Sequence, residues 1–275
     1  MLDGIGGTRA EGWLFRLLRQ LFPESAARET DTLVHPPYAG FDLRMIYRWI
    51  WWSTAAVIVL GIFREVYVHN FGLDTVLKDL RHISLEQKHS FQAWHQSSLA
   101  FFGLLMTAAL AASEPRETGL RHRWAVLAFI MAYISLDEQV TIHASSVVFM
   151  QKYLDLQGTF YVVPWVIWAI PLALALGAYL LPLLTRTPRR YAAGFVAGGA
   201  IFVGGSVGLE IIGGAFQTLY GGMDSWQYTI EFIAEESCES IGLAIFAVAI
   251  LEYWRCARPD ISVRLTYGTP PPSES

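Results

Sequence analysis

Several stretches of this 275-residue chain stay apolar for about the 20 residues that an α-helix needs to cross a bilayer. No other feature limits the fold so severely. Lipid offers no water to satisfy peptide groups, so a spanning chain must be helical or a closed barrel. A barrel would show ~10-residue segments of alternating polarity, and the apolar blocks here are continuous. Composition agrees: 53% of residues are hydrophobic and 16% charged, against about a quarter charged in soluble domains. The sequence predicts an all-α, polytopic integral membrane protein. Its six spans fall near 46–68, 95–112, 124–148, 161–184, 191–214 and 229–254.

This divides the chain into an N-terminal segment (1–45), a six-span domain (46–254) and a disordered tail (255–275). Fifteen Arg or Lys residues fall before or at the start of span 1, after spans 2 and 4, and in the tail; five fall on the opposite side. The positive-inside rule then places both termini in the cytoplasm, in a bacterial inner membrane. Within 1–45, "EGWLFRLLRQLFP" (11–23) sets Leu14, Leu17, Leu18 and Leu21 opposite Arg16 and Arg19. That pattern predicts an amphipathic helix on the membrane surface. "SLEQKHSFQAWHQ" (84–96) opens with the capping-box pair Ser84 and Gln87, which predicts an outward helical extension of span 2. The cysteines, Cys238 and Cys256, form no CxxC. No basic stripe or nucleic-acid module is present, which argues against a nucleic-acid partner.

The informative residues are acids in apolar spans. At 1.5 Å per residue, Asp137 and Glu138 lie roughly 10 Å below the outer boundary, as do Glu235 and Glu236, with Glu239 deeper. Glu65, Glu210 and Glu231 lie near the same edge. Of the Arg and Lys residues, only Arg64 shares a span and depth with these eight carboxylates. A charged side chain in mid-bilayer costs about 2.5–3.5 kcal/mol or more. The acids must therefore be protonated, hydrated or bound to cations. Glu231, Glu235 and Glu239 recur at i, i+4 and i+8 and stack on one face, where like charges repel. His143 lies about 140° around an ideal helix from Glu138. The two could share an ion only if the helix widened locally, as in a π-bulge.

Carboxylates with one or two histidines suit a divalent metal: iron, zinc or manganese. In this reading Glu138, His143, Glu210, Glu235 and Glu239 are the ligands. His143 is a ligand or general base, and Asp137 orients it. Glu231, Glu236, Glu86, His89 and His95 are secondary candidates; "EQKH" holds Glu86 and His89 in the ExxH spacing of two-iron bundles. The chemistry would be metal-assisted oxidation or hydrolysis of a lipidic or quinone-like substrate. Two alternatives remain open: a non-catalytic subunit of a larger membrane assembly, and a cation or proton transporter. Haem ligation by His95 and His143 would leave the acids unexplained. The glycines of span 5 predict close helix packing through Gly194/Gly198 and Gly204/Gly208.

Overall fold

The computed structural model describes residues 43–72, 75–220 and 222–257. The amphipathic segment 11–23 and the tail beyond residue 257 lie outside them. Among the described residues all regular structure is helical. The helices are α1 (Leu43–Phe71), α2 (Phe91–Ser113), α3 (Arg121–Val140), α4 (Ser145–Tyr153), the single turn α5 (Thr159–Val162), α6 (Val166–Arg186), α7 (Arg189–Val203), α8 (Glu210–Tyr220) and α9 (Trp226–Ala257). A π-helical segment, Gly204–Leu209, joins α7 to α8 in one 32-residue run. Five helices are long and apolar enough to cross a membrane, and six if α3 and α4 count as one broken span.

α9 is the spine of the bundle and packs against α1, α2, α7, α8 and the π segment. In lipid the hydrophobic effect does not drive helices together, so close van der Waals fit must. Glycine supplies that fit on α7–α9. A Cβ on Gly242 would stand 2.6 Å from the Phe202 nitrogen, and one on Gly198 would stand 2.8 Å from the Gly242 carbonyl oxygen. Gly205 sits equally tightly on Cys238 and the Glu235 carbonyl, whereas a Cβ on Gly204 or Gly208 would meet nothing within 4 Å. The seam therefore runs through Gly198 and Gly205, not through the Gly204/Gly208 pair that the spacing suggested. The π segment shifts the helix register, so a four-residue spacing no longer marks one face.

The bundle has two unlike ends. At one, Tyr47 of α1 donates to Glu252 of α9, so the described chain starts and finishes together. Above this end lies a dry core of Leu110, Trp124, Leu183, Phe195 and Ile250. Trp124 stacks on Tyr253 and meets Phe195 edge-on. The acids occupy the other end.

Two expected helices are interrupted there. The third span was expected to run unbroken to residue 148. It stops at Val140, and α4 departs at 83°. In an uninterrupted helix the His143 N–H would bond the Gln139 carbonyl; instead it donates to Asp137 Oδ1 at 2.8 Å. A side-chain acceptor has displaced a backbone one. Thr141 takes the left-handed conformation at the break (φ 50°, ψ 54°), and it is the one non-glycine residue with positive φ among the described residues.

Residues 84–90 likewise do not extend α2. Ser90 is the true cap, accepting from the Ala93 N–H at 3.2 Å. Ser84 and Gln87 form no capping box, because Ser84 is drawn onto Glu65 of α1. Glu65 Oε1 accepts from Ser84 Oγ (2.8 Å) and from the Leu85 N–H (2.9 Å). Leu85, 2% exposed, presses directly onto the bare face of Gly61.

Candidate functional site: a carboxylate layer at one end of the bundle

α9 carries most of the layer. Glu231, Glu236 and Glu239 are buried and Glu235 half-buried. α3 adds Glu138, also buried, whose charge faces Glu236 and Asp137. Glu239 in turn faces Glu138, Glu236 and Glu235. α8 adds Glu210, the first residue after the π segment. The expected convergence of acids from separate spans is present.

Each acid meets different surroundings. Glu236 is served by α2: Gln96 Nε2 donates to its Oε2 at 3.1 Å, while Gln92 Nε2 reaches its backbone carbonyl (3.1 Å) and Ser240 Oγ (2.5 Å). Glu210 accepts from Trp165 Nε1 at 2.9 Å. Glu231 has both oxygens buried with no hydrogen-bond partner; its charge faces Glu210 and Glu235. Glu65 stands apart, engaged with Arg64 Nη1 (2.7 Å), Ser84 and Leu85. It is an anchor for the following loop.

Asp137 and His143 form the most ordered unit. His143 Nδ1 lies 2.6 Å from Asp137 Oδ2, and the His143 backbone N–H bonds the other oxygen. A carboxylate acceptor assigns a proton to Nδ1, and in the neutral ring Nε2 then keeps its lone pair. Trp165 packs on the ring at 4.8 Å between centroids, and the imidazole sits within electrostatic reach of Glu210. The break at Thr141 creates this pairing. The π-bulge imagined for this span occurs instead in the fifth, immediately before Glu210, where Gly204, Gly205 and Gly208 favour it.

The sequence reading missed the cation. Arg64 is taken by Glu65, but Lys88, half-buried in the loop pinned by Glu65 and Ser90, faces the layer. Burial disfavours its ammonium. The charges of Glu236, Glu138, Glu239 and Asp137 outweigh that and hold it above the ordinary lysine value. Its charge reaches Glu210 and Glu235 as well, so one lysine serves five glutamates of the layer. Trp165, which the sequence reading also passed over, is a donor to the site. Gln92 and Gln96 were overlooked, although their i, i+4 spacing at the head of an apolar span marks a polar face.

Other candidates lie elsewhere. His95 points at α1, with Nε2 3.0 Å from Ser53 Oγ. Glu86 and His89 sit in the 84–90 loop, so their ExxH spacing is not on a helix and does not put them on one face. Among the described residues, no three His, Cys, Asp or Glu side chains gather closely enough to hold a metal ion as positioned. A family described as a domain of unknown function (DUF8692) matches residues 51–253. No curated protein and no solved structure matches the chain.

Proposed function

The chain belongs to the DUF8692 family, a premise that brings no activity with it, and from the site we propose a cation-dependent membrane enzyme that oxidises or hydrolyses a lipidic or quinone-like molecule. The observation that carries this reading is the Asp137–His143 pair beside the under-compensated acids. Asp137 fixes the ring at two points and holds the proton on Nδ1. Nε2 is thereby presented as a base or a metal ligand, the arrangement in which a carboxylate orients and strengthens a ligating histidine. A divalent ion of iron, zinc or manganese type would offset the carboxylate charge that Lys88 leaves uncovered, and would supply Lewis acidity. The many exposed apolar side chains, such as Phe149 and Tyr153 on α4, suit a substrate arriving through the lipid.

The test is elemental analysis of the purified, detergent-solubilised chain, followed by incubation with membrane lipids and quinones and mass analysis of the products. About one metal per chain, lost together with turnover in Asp137→Asn, is expected. Absence of stoichiometric metal, unchanged by loading with iron, zinc or manganese, would overturn the reading.

Transport of a cation or proton is a second reading, favoured by the broken α3–α4 span and the π segment, since discontinuous helices build transporter sites. Against it, Glu252 at the far end is engaged by Tyr47 and Arg255 and offers no relay. Flux measured in proteoliposomes separates the two.

A further inference from the structure

The carboxylates do not share one environment. Lys88 faces Glu236, Glu138 and Glu239, and Gln96 donates to Glu236. The lysine's charge also reaches Glu210 and Glu235, and Trp165 donates to Glu210. The contrast is sharpest at Glu231. The residue is 5% exposed, and both oxygens are sealed from solvent with no donor in bonding geometry among the described residues, the Glu235 carboxyl adjoining them. Its carboxyl group rests in a notch on α8 whose floor is Gly213, where a Cβ would stand 2.8 Å from Glu231 Cδ. A carboxyl group buried in this way, beside two other acids, calls for a proton or a bound cation.

We propose that Glu231, Glu235 and Glu210 hold one hard divalent cation over Gly213, beside His143. This rests on the cation-dependent reading above and specifies which acids carry the ion. The other glutamates, Glu236, Glu138 and Glu239, act most strongly on Lys88 and belong to the walls. Oxygen-only donors select Mn²⁺, Mg²⁺ or Ca²⁺ over softer ions, and a nearby imidazole favours Mn²⁺ among these. Glu231 is the fixed member, seated in its notch. Glu210 and Glu235, both half-buried, must swing onto it, because the three do not meet at one centre as positioned. The π segment ends at Glu210 and shifts this residue's register toward α9. The Trp165 indole restrains one Glu210 oxygen and leaves the other for the ion.

Mn²⁺ alone serves as the probe, read by electron paramagnetic resonance and elemental analysis on the full chain in detergent. The wild type is expected to retain about one Mn²⁺ per chain. Glu231→Gln, nearly isosteric, should lose it. So should Gly213→Ala, whose methyl group displaces the Glu231 carboxylate. Gly208→Ala, where a Cβ meets nothing within 4 Å, and Glu138→Gln should keep it. If the wild type binds no Mn²⁺, iron or zinc, the cation-dependent reading falls and takes this assignment with it. If the ion survives Glu231→Gln but is lost in Glu138→Gln or Glu239→Gln, the reading stands and this assignment is overturned. Retention in folded Gly213→Ala likewise overturns it.

Discussion

Glu65→Gln tests whether one buried carboxylate holds the loop that presents Lys88. Glu65 is 7% exposed and its partner Arg64 6%. It accepts from Arg64 Nη1 at 2.7 Å, Ser84 Oγ at 2.8 Å and the Leu85 N–H at 2.9 Å. Hydrogen bonds to a charged group are worth about 1.5–3 kcal/mol and neutral ones about 0.5–1.5, so neutralising the acceptor weakens each loop bond by about 1 kcal/mol. Leaving Arg64 buried without a counter-charge costs about 3–5 kcal/mol. That figure already includes the lost Arg64 bond, so the total expected is about 5–7 kcal/mol. Ser84→Ala removes one loop bond and should cost about 1.5–3 kcal/mol. Both act through one oxygen, so the double variant should lose less than the sum, with a coupling of about 1 kcal/mol. Reversible unfolding in mixed micelles gives the energies, and protease cleavage within 84–90 reports the loop. A Glu65→Gln variant within about 0.5 kcal/mol of wild type, or strict additivity with Ser84→Ala, would refute the anchoring role.

Gly242→Ala places a methyl group 2.6 Å from backbone on α7 and should cost about 1–3 kcal/mol from overpacking. Gly199→Ala meets nothing within 4 Å and should be neutral or gain up to about 1 kcal/mol from helix propensity; thermal unfolding in detergent compares the two. Thr141→Gly relieves a β-branched residue held at positive φ, a strain of about 1–3 kcal/mol. It should not destabilise the chain in the same assay, the gain offsetting glycine's entropic cost. Lys88 is held above its ordinary value by neighbouring acids, so the stability it contributes is complete below the unfolded lysine value of about 10.4 and lost as pH rises through the higher folded value. The stability difference between wild type and Lys88→Met should therefore stay flat through neutral pH and shrink only in strongly alkaline solution; a difference that vanishes near pH 7 would contradict this.

Much of the architecture was legible before any coordinates. Bilayer thickness and helix rise convert apolar runs into spans, and the same arithmetic places Glu138, Glu235 and Glu236 at one depth with Glu239 below them. The site was legible as a layer but not as a set of partners. Lys88 was counted only among the five basic residues of the opposite side, and Trp165 and Gln96 were unremarked, because depth along a span says nothing of which face looks inward. The third span shows a further limit. Its apolar pattern continues past Val140, yet Asp137 captures the His143 N–H and turns the chain, a competition between two acceptors that hydropathy does not register.

What the sequence determined by itself is the class of fold and the shared depth of its acids, since both follow from distances along a single helix. The tertiary structure decided how the acids divide. Folding a loop back through Glu65 brings Lys88 closest to Glu138, Glu236 and Glu239, and seating α8 on α9 through Gly213 seals the Glu231 carboxyl group from solvent. These are contacts between residues far apart in the chain, settled by close packing and charge pairing across helices, which no local pattern encodes.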